Sequence, residues 1–143
     1  MKLLLAAALF VLLSAGAFAD SVPFSKDYLP HRVITVMAGD QIGSVEIDTG
    51  SDMSSLPVEL LIGLVEHGKA KPVGMETFGL ADRTTMKQFI YMVDDFAIGH
   101  CVLHNIMVAG GGDQLLGIDV LDKLSPWSFS GKQFVFTCPL NRK

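Results

Sequence analysis

The residues best suited to chemistry in this chain are Asp48, Thr49, Gly50 and Ser51, which follow the alternating stretch Ser44-Val45-Glu46-Ile47. A carboxylate lifted from the end of a β-strand onto a tight turn at Gly50 can serve acid-base hydrolysis of an amide, provided a second carboxylate meets it. One carboxylate cannot deprotonate the attacking water and protonate the carbonyl at the same moment. The chain has a single Asp-Thr-Gly in 143 residues, a length in the single-domain range. The simplest completion is a C2 homodimer whose axis passes between two copies of Asp48, so that an isolated protomer is inactive. About seventy residues later stands a second distinctive segment, Leu115-Leu116-Gly117-Ile118-Asp119.

Other candidate ligands and nucleophiles have plainer readings. His100 and His104 on one strand lie about 13 Å apart at 3.3 Å per residue, too far to share an ion. No metal and no cofactor is expected. Gly110-Gly111-Gly112 lacks the Lys and Ser/Thr of a phosphate loop and reads as a flexible break. Asp52 and Asp113 read as solvated loop residues, and Asp119 as the cap of a following helix.

The elements that must position Asp48 are mostly strands. Residues 32–37 and 41–48 form two β-rich runs around the turn signal Ala38-Gly39-Asp40, and the second delivers Asp48 at its end. Pro57 suits the first turn of a helix over Val58 to Glu66, with Gly68 as its stop. Residues 74–81 and 84–93 read as a second hairpin around Asp82-Arg83. Further strands are expected at 95–99, 101–109, 114–116 and 133–138, with a short helix at 120–124. Many short strands, two brief helices and no internal repeat predict a mostly β fold, a small closed barrel or sandwich-like domain.

The N-terminus reads as a secretory signal. Lys2 supplies the positive start, Leu3 to Leu13 the apolar run, and Ala17-Phe18-Ala19 a small-x-small site for cleavage after Ala19. The run is shorter than the roughly 20 residues of a spanning helix, which disfavours an uncleaved anchor and stable membrane insertion. Cleavage removes Lys2 and makes the formal charge one unit more negative than the −4 of the full chain, an acidic balance that argues against nucleic acid. Cys101 and Cys138 both remain, and an even count in an exported chain suggests a disulfide, with a pair of buried thiols as the alternative. Residues 20–30 read as a flexible lead into a domain over 31–143.

With these elements in order, the chain resembles the retropepsin-like (retroviral-type, clan AA) aspartic proteases, especially the exported bacterial single-domain branch. The likeness runs from about Val33 to Cys138. It rests on the hairpin, Asp48-Thr49-Gly50-Ser51, the short helix, the hairpin near Leu80-Ala81-Asp82-Arg83, the strand ending at Ile98-Gly99, and Leu115-Leu116-Gly117. The resemblance implies a small closed β-barrel with one lobe per chain and a homodimer that cleaves peptide or protein substrates. Asp48 becomes the catalytic carboxylate, with Thr49 bonding across the dimer and Gly50 letting the backbones approach. Ser51 bonds the outer oxygen of Asp48. Leu115, Leu116 and Gly117 form the strand behind the loop, and Gly79, Leu80, Ala81, Asp82 and Arg83 belong to a flap over the substrate. Ser51 replaces the Ala of many viral members, Ile118 stands where they carry Arg, and the flap lacks their Gly-rich tip.

Localisation in a periplasm or outside the cell follows from the signal. The competing functional reading keeps the fold without turnover, as a catalytically silent peptide-binding or dimerisation module.

Overall fold

In the computed structural model of the chain, residues 17–26 and 31–140 are described. Most of the expected signal segment and residues 27–30 of the lead lie outside them. The chain forms β1 (Phe18–Pro23), β2 (Val33–Ala38), β3 (Gln41–Ile47), β4 (Ser55–Pro57) and α1 (Val58–Glu66). Then come β5 (Ala70–Gly79), β6 (Thr85–Ile98), β7 (Cys101–Gly111), β8 (Leu115–Leu116) and α2 (Ile118–Leu121). A 3-10 turn at Asp122–Leu124, β9 (Trp127–Ser130) and β10 (Gln133–Cys138) complete it. The fold is mostly β with two short helices, as the sequence predicts.

Seven strands form one sheet in the order β2-β3-β8-β4-β7-β6-β5, and β2 also pairs with β6 through Met37–Ala97 and Ala38–Phe96. That extra pairing closes the sheet into a ring and leaves β5 attached outside it. A separate three-stranded sheet has the order β1-β10-β9. Both sheets bury their inner faces in one core. In β2 the period of two puts Ile34, Val36 and Ala38 inside, and β10 does the same with Phe134, Phe136 and Cys138. Each fully buried Phe or Leu contributes roughly 1.5–3 kcal/mol relative to an exposed one. In α1 the core-facing residues are Leu61 and Leu64, and Gly68 at φ +66 lets Lys69 N–H return to the Leu64 carbonyl.

Several elements differ from the sequence reading. The lead is not wholly flexible: Asp20 to Pro23 belong to β1, which pairs with β10 from Phe18–Cys138 to Pro23–Gln133. Its one core residue, Val22, is too weak a period to reveal a strand. The runs 84–93 and 95–99 are one strand, β6, continuous through Asp94-Asp95, where Asp94 N–H bonds the Lys69 carbonyl and Asp95 pairs with His104. Gly110 and Gly111 are no break, since they lie in β7 opposite Leu56 and Pro57. A Cβ on Gly110 would stand 3.0 Å from the Tyr91 ring, so the strand needs bare backbone there. The second helix starts at Ile118 rather than 120, and β4 and β9 have no counterpart in the sequence reading.

Cys101 and Cys138 form a disulfide, Cα–Cα 5.5 Å, joining the start of β7 to the end of β10 and thus one sheet to the other. It settles the choice between a bond and two buried thiols. Next to it, Asp20 accepts the His100 N–H at 2.8 Å and anchors β1 to the β6–β7 turn.

Candidate active site

Asp48 follows directly on β3, the strand held on both sides near its end. Val33 of β2 pairs with Glu46 in antiparallel register, and Leu115 and Leu116 of β8 pair in parallel with Glu46 and Ile47. Beyond Ile47 the ladder continues through the loop itself. Asp48 N–H donates to the Leu116 carbonyl at 3.1 Å, and Ile118 N–H donates to the Ser51 carbonyl at 2.9 Å. Leu115, Leu116 and Gly117 therefore lie alongside β3 and the Asp48 loop.

The Asp48 side chain is half-buried, and its Oδ1 accepts the Gly50 N–H at 2.8 Å. One donor on one oxygen fixes the carboxylate on the turn and leaves acceptor capacity on the other. Gly50 keeps out of the left-handed backbone region; a Cβ on it would stand 3.2 Å from Asp48 Oδ1, so its role is close approach. Ser51 departs from the expected contact. Its hydroxyl donates to the Met53 carbonyl at 2.8 Å, bracing the loop instead of bonding Asp48. Thr49 is exposed.

Gly117 is where the two segments press closest. A Cβ there would lie 2.7 Å from the Met53 carbonyl carbon and 2.8 Å from the Ser51 oxygen, both backbone atoms that cannot swing away.

Two residues that sequence reasoning misses or misjudges close the far end of the loop. Ser54, 1% exposed, donates its N–H at 2.9 Å and its hydroxyl at 2.8 Å to Asp119 Oδ1, and its oxygen accepts the Gly117 N–H at 2.9 Å. Asp119 does not take the expected place at the cap of the following helix. It sits inside the first turn of α2, with Gly117 at the N-cap, and its carboxylate reaches back to the loop. Burial is the largest influence on it and raises its pKa above 3.8, although the Ser54 bonds pull the other way. The only sequence signal for Ser54 is a polar pair, Ser54-Ser55, before an apolar run. The neighbouring Ser55 hydroxyl bonds the Asp113 carbonyl at 2.7 Å.

The β5–β6 hairpin carries Gly79 to Arg83 at its tip, all exposed. The tip is a closed turn: Leu80 N–H bonds the Thr84 carbonyl at 2.8 Å, and Arg83 N–H bonds the Leu80 carbonyl at 2.9 Å. Asp82 Oδ1 accepts the Thr84 hydroxyl at 2.6 Å and its N–H at 2.9 Å, and these bonds hold the Asp82 pKa below 3.8. Arg83 takes φ +68, the place a glycine tip would fill.

The histidines pair singly with carboxylates. His104 Nδ1 lies 2.6 Å from Asp95, His67 Nδ1 lies 3.0 Å from Asp40, His100 Nδ1 lies 3.6 Å from Asp20, and His31 meets Glu46. They bridge neighbouring strands and turns.

No protein-family model matches the chain, and no curated protein matches it in sequence. Its structure is similar to the crystal structure of a retropepsin-like aspartic protease from Rickettsia conorii, with a TM-score of 0.64 over 85% of this chain and 93% of that one, at 17% sequence identity. The ring of strands and the small second sheet have the retropepsin-like fold.

Proposed function

We propose that the protein is an aspartic endopeptidase that works as a homodimer, with the two copies of Asp48 forming the catalytic pair. The observation that carries this reading is the support of Asp48: an Asp-Thr-Gly turn bonded to the Leu115–Asp119 segment in a retropepsin-like fold. Such bracing suits a carboxylate that must meet its counterpart within a narrow tolerance.

Two carboxyl groups about 3 Å apart cannot both ionise, so the pair shares one proton and titrates in two separated steps. The ionised member takes a proton from a bound water, which attacks the peptide carbonyl. The protonated member supports the oxyanion and then supplies a proton toward the leaving amine. Activity belongs at acid to mildly acid pH. The substrate lies extended under the two β5–β6 hairpins, giving backbone hydrogen bonds and alternate side chains to apolar pockets. Thr49 bonds across the dimer and keeps the two loops in register.

The disulfide fits an oxidising compartment, in keeping with export by the N-terminal signal to a periplasm or the medium. Cleavage after Ala19 would shorten β1 to Asp20 through Pro23 while keeping the Asp20 anchor.

The test is cleavage of a mixed peptide library from about pH 3 to pH 8, with Asp48→Asn and a pepstatin-type inhibitor as controls. Cleavage that requires Asp48 and rises with dimer concentration supports the protease. A well-folded dimer that cleaves nothing at any pH points to the peptide-binding module.

A further inference from the structure

We propose that Lys26, Arg32 and Lys132 form a binding site for a phosphate dianion, in a cavity where the three-stranded sheet meets the start of β2. The ligand is a phosphomonoester-type group, carried by free phosphate or by a lipid headgroup. The site uses none of the residues assigned to peptide cleavage and does not depend on the protease reading.

Main-chain bonds bring the three cations together from separate segments. Just past β1, Phe24 N–H donates at 3.1 Å to the carbonyl of Lys132, in the β9–β10 turn that Gly131 makes at φ +59. Ser25 and Val33 each donate an N–H to the other's carbonyl at 2.9 Å, an antiparallel bridge that carries Lys26 past Arg32. The Arg32 carbonyl accepts the Ile47 N–H at 2.9 Å, which ties its backbone to β3. With Phe24 and Phe129, these cations line a cavity of about 410 Å³.

The positive charge in this cavity is unanswered. No carboxylate lines it, and none of the three cations has an ion pair among the described residues. The carboxylate opposite Val33, that of Glu46, meets His31 instead. This concentration of cations belongs to a chain whose net charge is −4. Arg32 lies over the Phe129 ring, its Cζ 4.2 Å from the ring centre and 5.8 Å from that of Phe24, and the two rings meet edge to face at 5.3 Å. The rings hold the guanidinium and offer its N–H groups no acceptor. Its Nε is the one buried side-chain nitrogen or oxygen without a hydrogen-bond partner among the described residues. A buried donor without an acceptor is costly, and an oxyanion relieves it, because the guanidinium presents paired N–H groups at the spacing of two oxygens on one anion. Charge then selects phosphate over carboxylate. A carboxylate brings one charge and two oxygens to three cations, whereas a phosphate group brings nearly two charges and enough oxygens for Arg32 and both lysines together.

The experiment titrates the protein with inorganic phosphate near neutral pH, at an ionic strength held constant with sodium chloride, and follows the Arg32 Nε–H and the Phe24 and Lys132 amide resonances. A second arm measures co-sedimentation with phosphatidylcholine vesicles, with and without phosphatidic acid. The three resonances should shift together and saturate at one midpoint. Arg32→Lys keeps the charge but removes the fork, and should weaken binding about tenfold. Lys26→Gln combined with Lys132→Gln, which changes only exposed side chains, should weaken it at least as much. Saturable binding of inorganic phosphate that these variants weaken supports the site with a free phosphate compound as its ligand. Retention on phosphatidic acid vesicles alone, lost in the same variants, supports it with a headgroup as the source. Silence toward both probes overturns the proposal, as does a drift that never saturates or binding that the variants leave intact. Sodium acetate binding as tightly as phosphate overturns it too. Asp48→Asn should bind as the wild type does, so a chain that cleaves nothing sinks the protease reading while the phosphate titration still decides this site.

Discussion

The loop that carries Asp48 and the hairpin that carries Asp82 are held in opposite ways. The loop is short and bonded across to a distant part of the chain, from Asp48 N–H on Leu116 to Ser54 on Asp119, and ends among buried residues. The hairpin is long and bonded mainly to itself. Past Ala70, nearly every residue of β5 is exposed, and Met75, Met86 and Phe89 present apolar side chains to solvent. Under the proposed protease reading, rigid placement suits a carboxylate that must meet its twin, and a ribbon anchored only at its base suits a cover that opens for substrate. Its exposed apolar side chains have a use once a peptide or a second protomer lies against them.

Asp48→Asn should break the comparison most severely on the functional side. An amide cannot take the proton from water, so kcat/KM should fall by at least about 1,000-fold. The half-buried side chain keeps its Gly50 bond, so the thermal midpoint should hold. Activity that survives the change would remove Asp48 from the chemistry.

A matched pair of glycine substitutions tests the rigidity itself. Gly117→Ala drives a methyl into backbone at 2.7 and 2.8 Å, and the loop must shift at a cost of about 2–4 kcal/mol, with activity lost before folding is. Gly79→Ala, in the hairpin, meets nothing within 4 Å and has no left-handed φ to satisfy, so its cost should stay below about 0.5 kcal/mol. Denaturant unfolding of both variants gives the answer. Equal costs would mean that the two regions are equally tight.

What the sequence disclosed divides along the same line. Asp48, the β2–β3 hairpin and the segment at Leu116-Gly117 are legible because each is a local pattern: alternation, a turn signal, an apolar pair before glycine. The Ser54–Asp119 bond is not, because these are ordinary polar residues 65 positions apart, and only the pairing of β8 with both β3 and β4 brings them together. Gly110-Gly111 and Asp94-Asp95 mislead for a related reason. Their local preference is for a break, and tertiary packing overrides it, by the Tyr91 ring against Gly110 and by the pairing of Asp95 with His104. The Ser51 contact fails as an analogy, since its hydroxyl turns inward to Met53 and serves the loop.

The disulfide belongs to neither region, which makes it a control. It closes a span of 37 residues between β7 and β10, so replacing both cysteines with Ala should cost about 2–4 kcal/mol, read as a lower denaturant midpoint. Below the new transition the cleavage rate should be unchanged, because the Asp48 loop makes none of its bonds to that bridge. A rate that drops in step with stability would show that the β1-β10-β9 sheet supports the site.

The smallest effects sharpen the contrast through pH, and they carry opposite signs. Asp119 has a raised pKa in the folded protein, so its contribution to stability is fully present below its unfolded value near 3.8 and declines as pH rises through the folded pKa. Asp119→Asn should therefore match the wild type at acid pH and gain in thermal midpoint toward neutral, by less than about 1 kcal/mol given the partial exposure of the side chain. Asp82 has a lowered pKa because the Thr84 hydroxyl and N–H bond its charged form, so its contribution is present above 3.8 and lost as pH falls through the folded value. Asp82→Ala should lose its deficit at low pH, and the loss should appear as faster amide exchange at Thr84 with little change in global unfolding. The tip of an open hairpin can come apart without the core. If removing Asp82 shifted the whole transition as Gly117→Ala does, the hairpin would be part of the rigid frame and could not serve as the movable cover that the proposed protease needs.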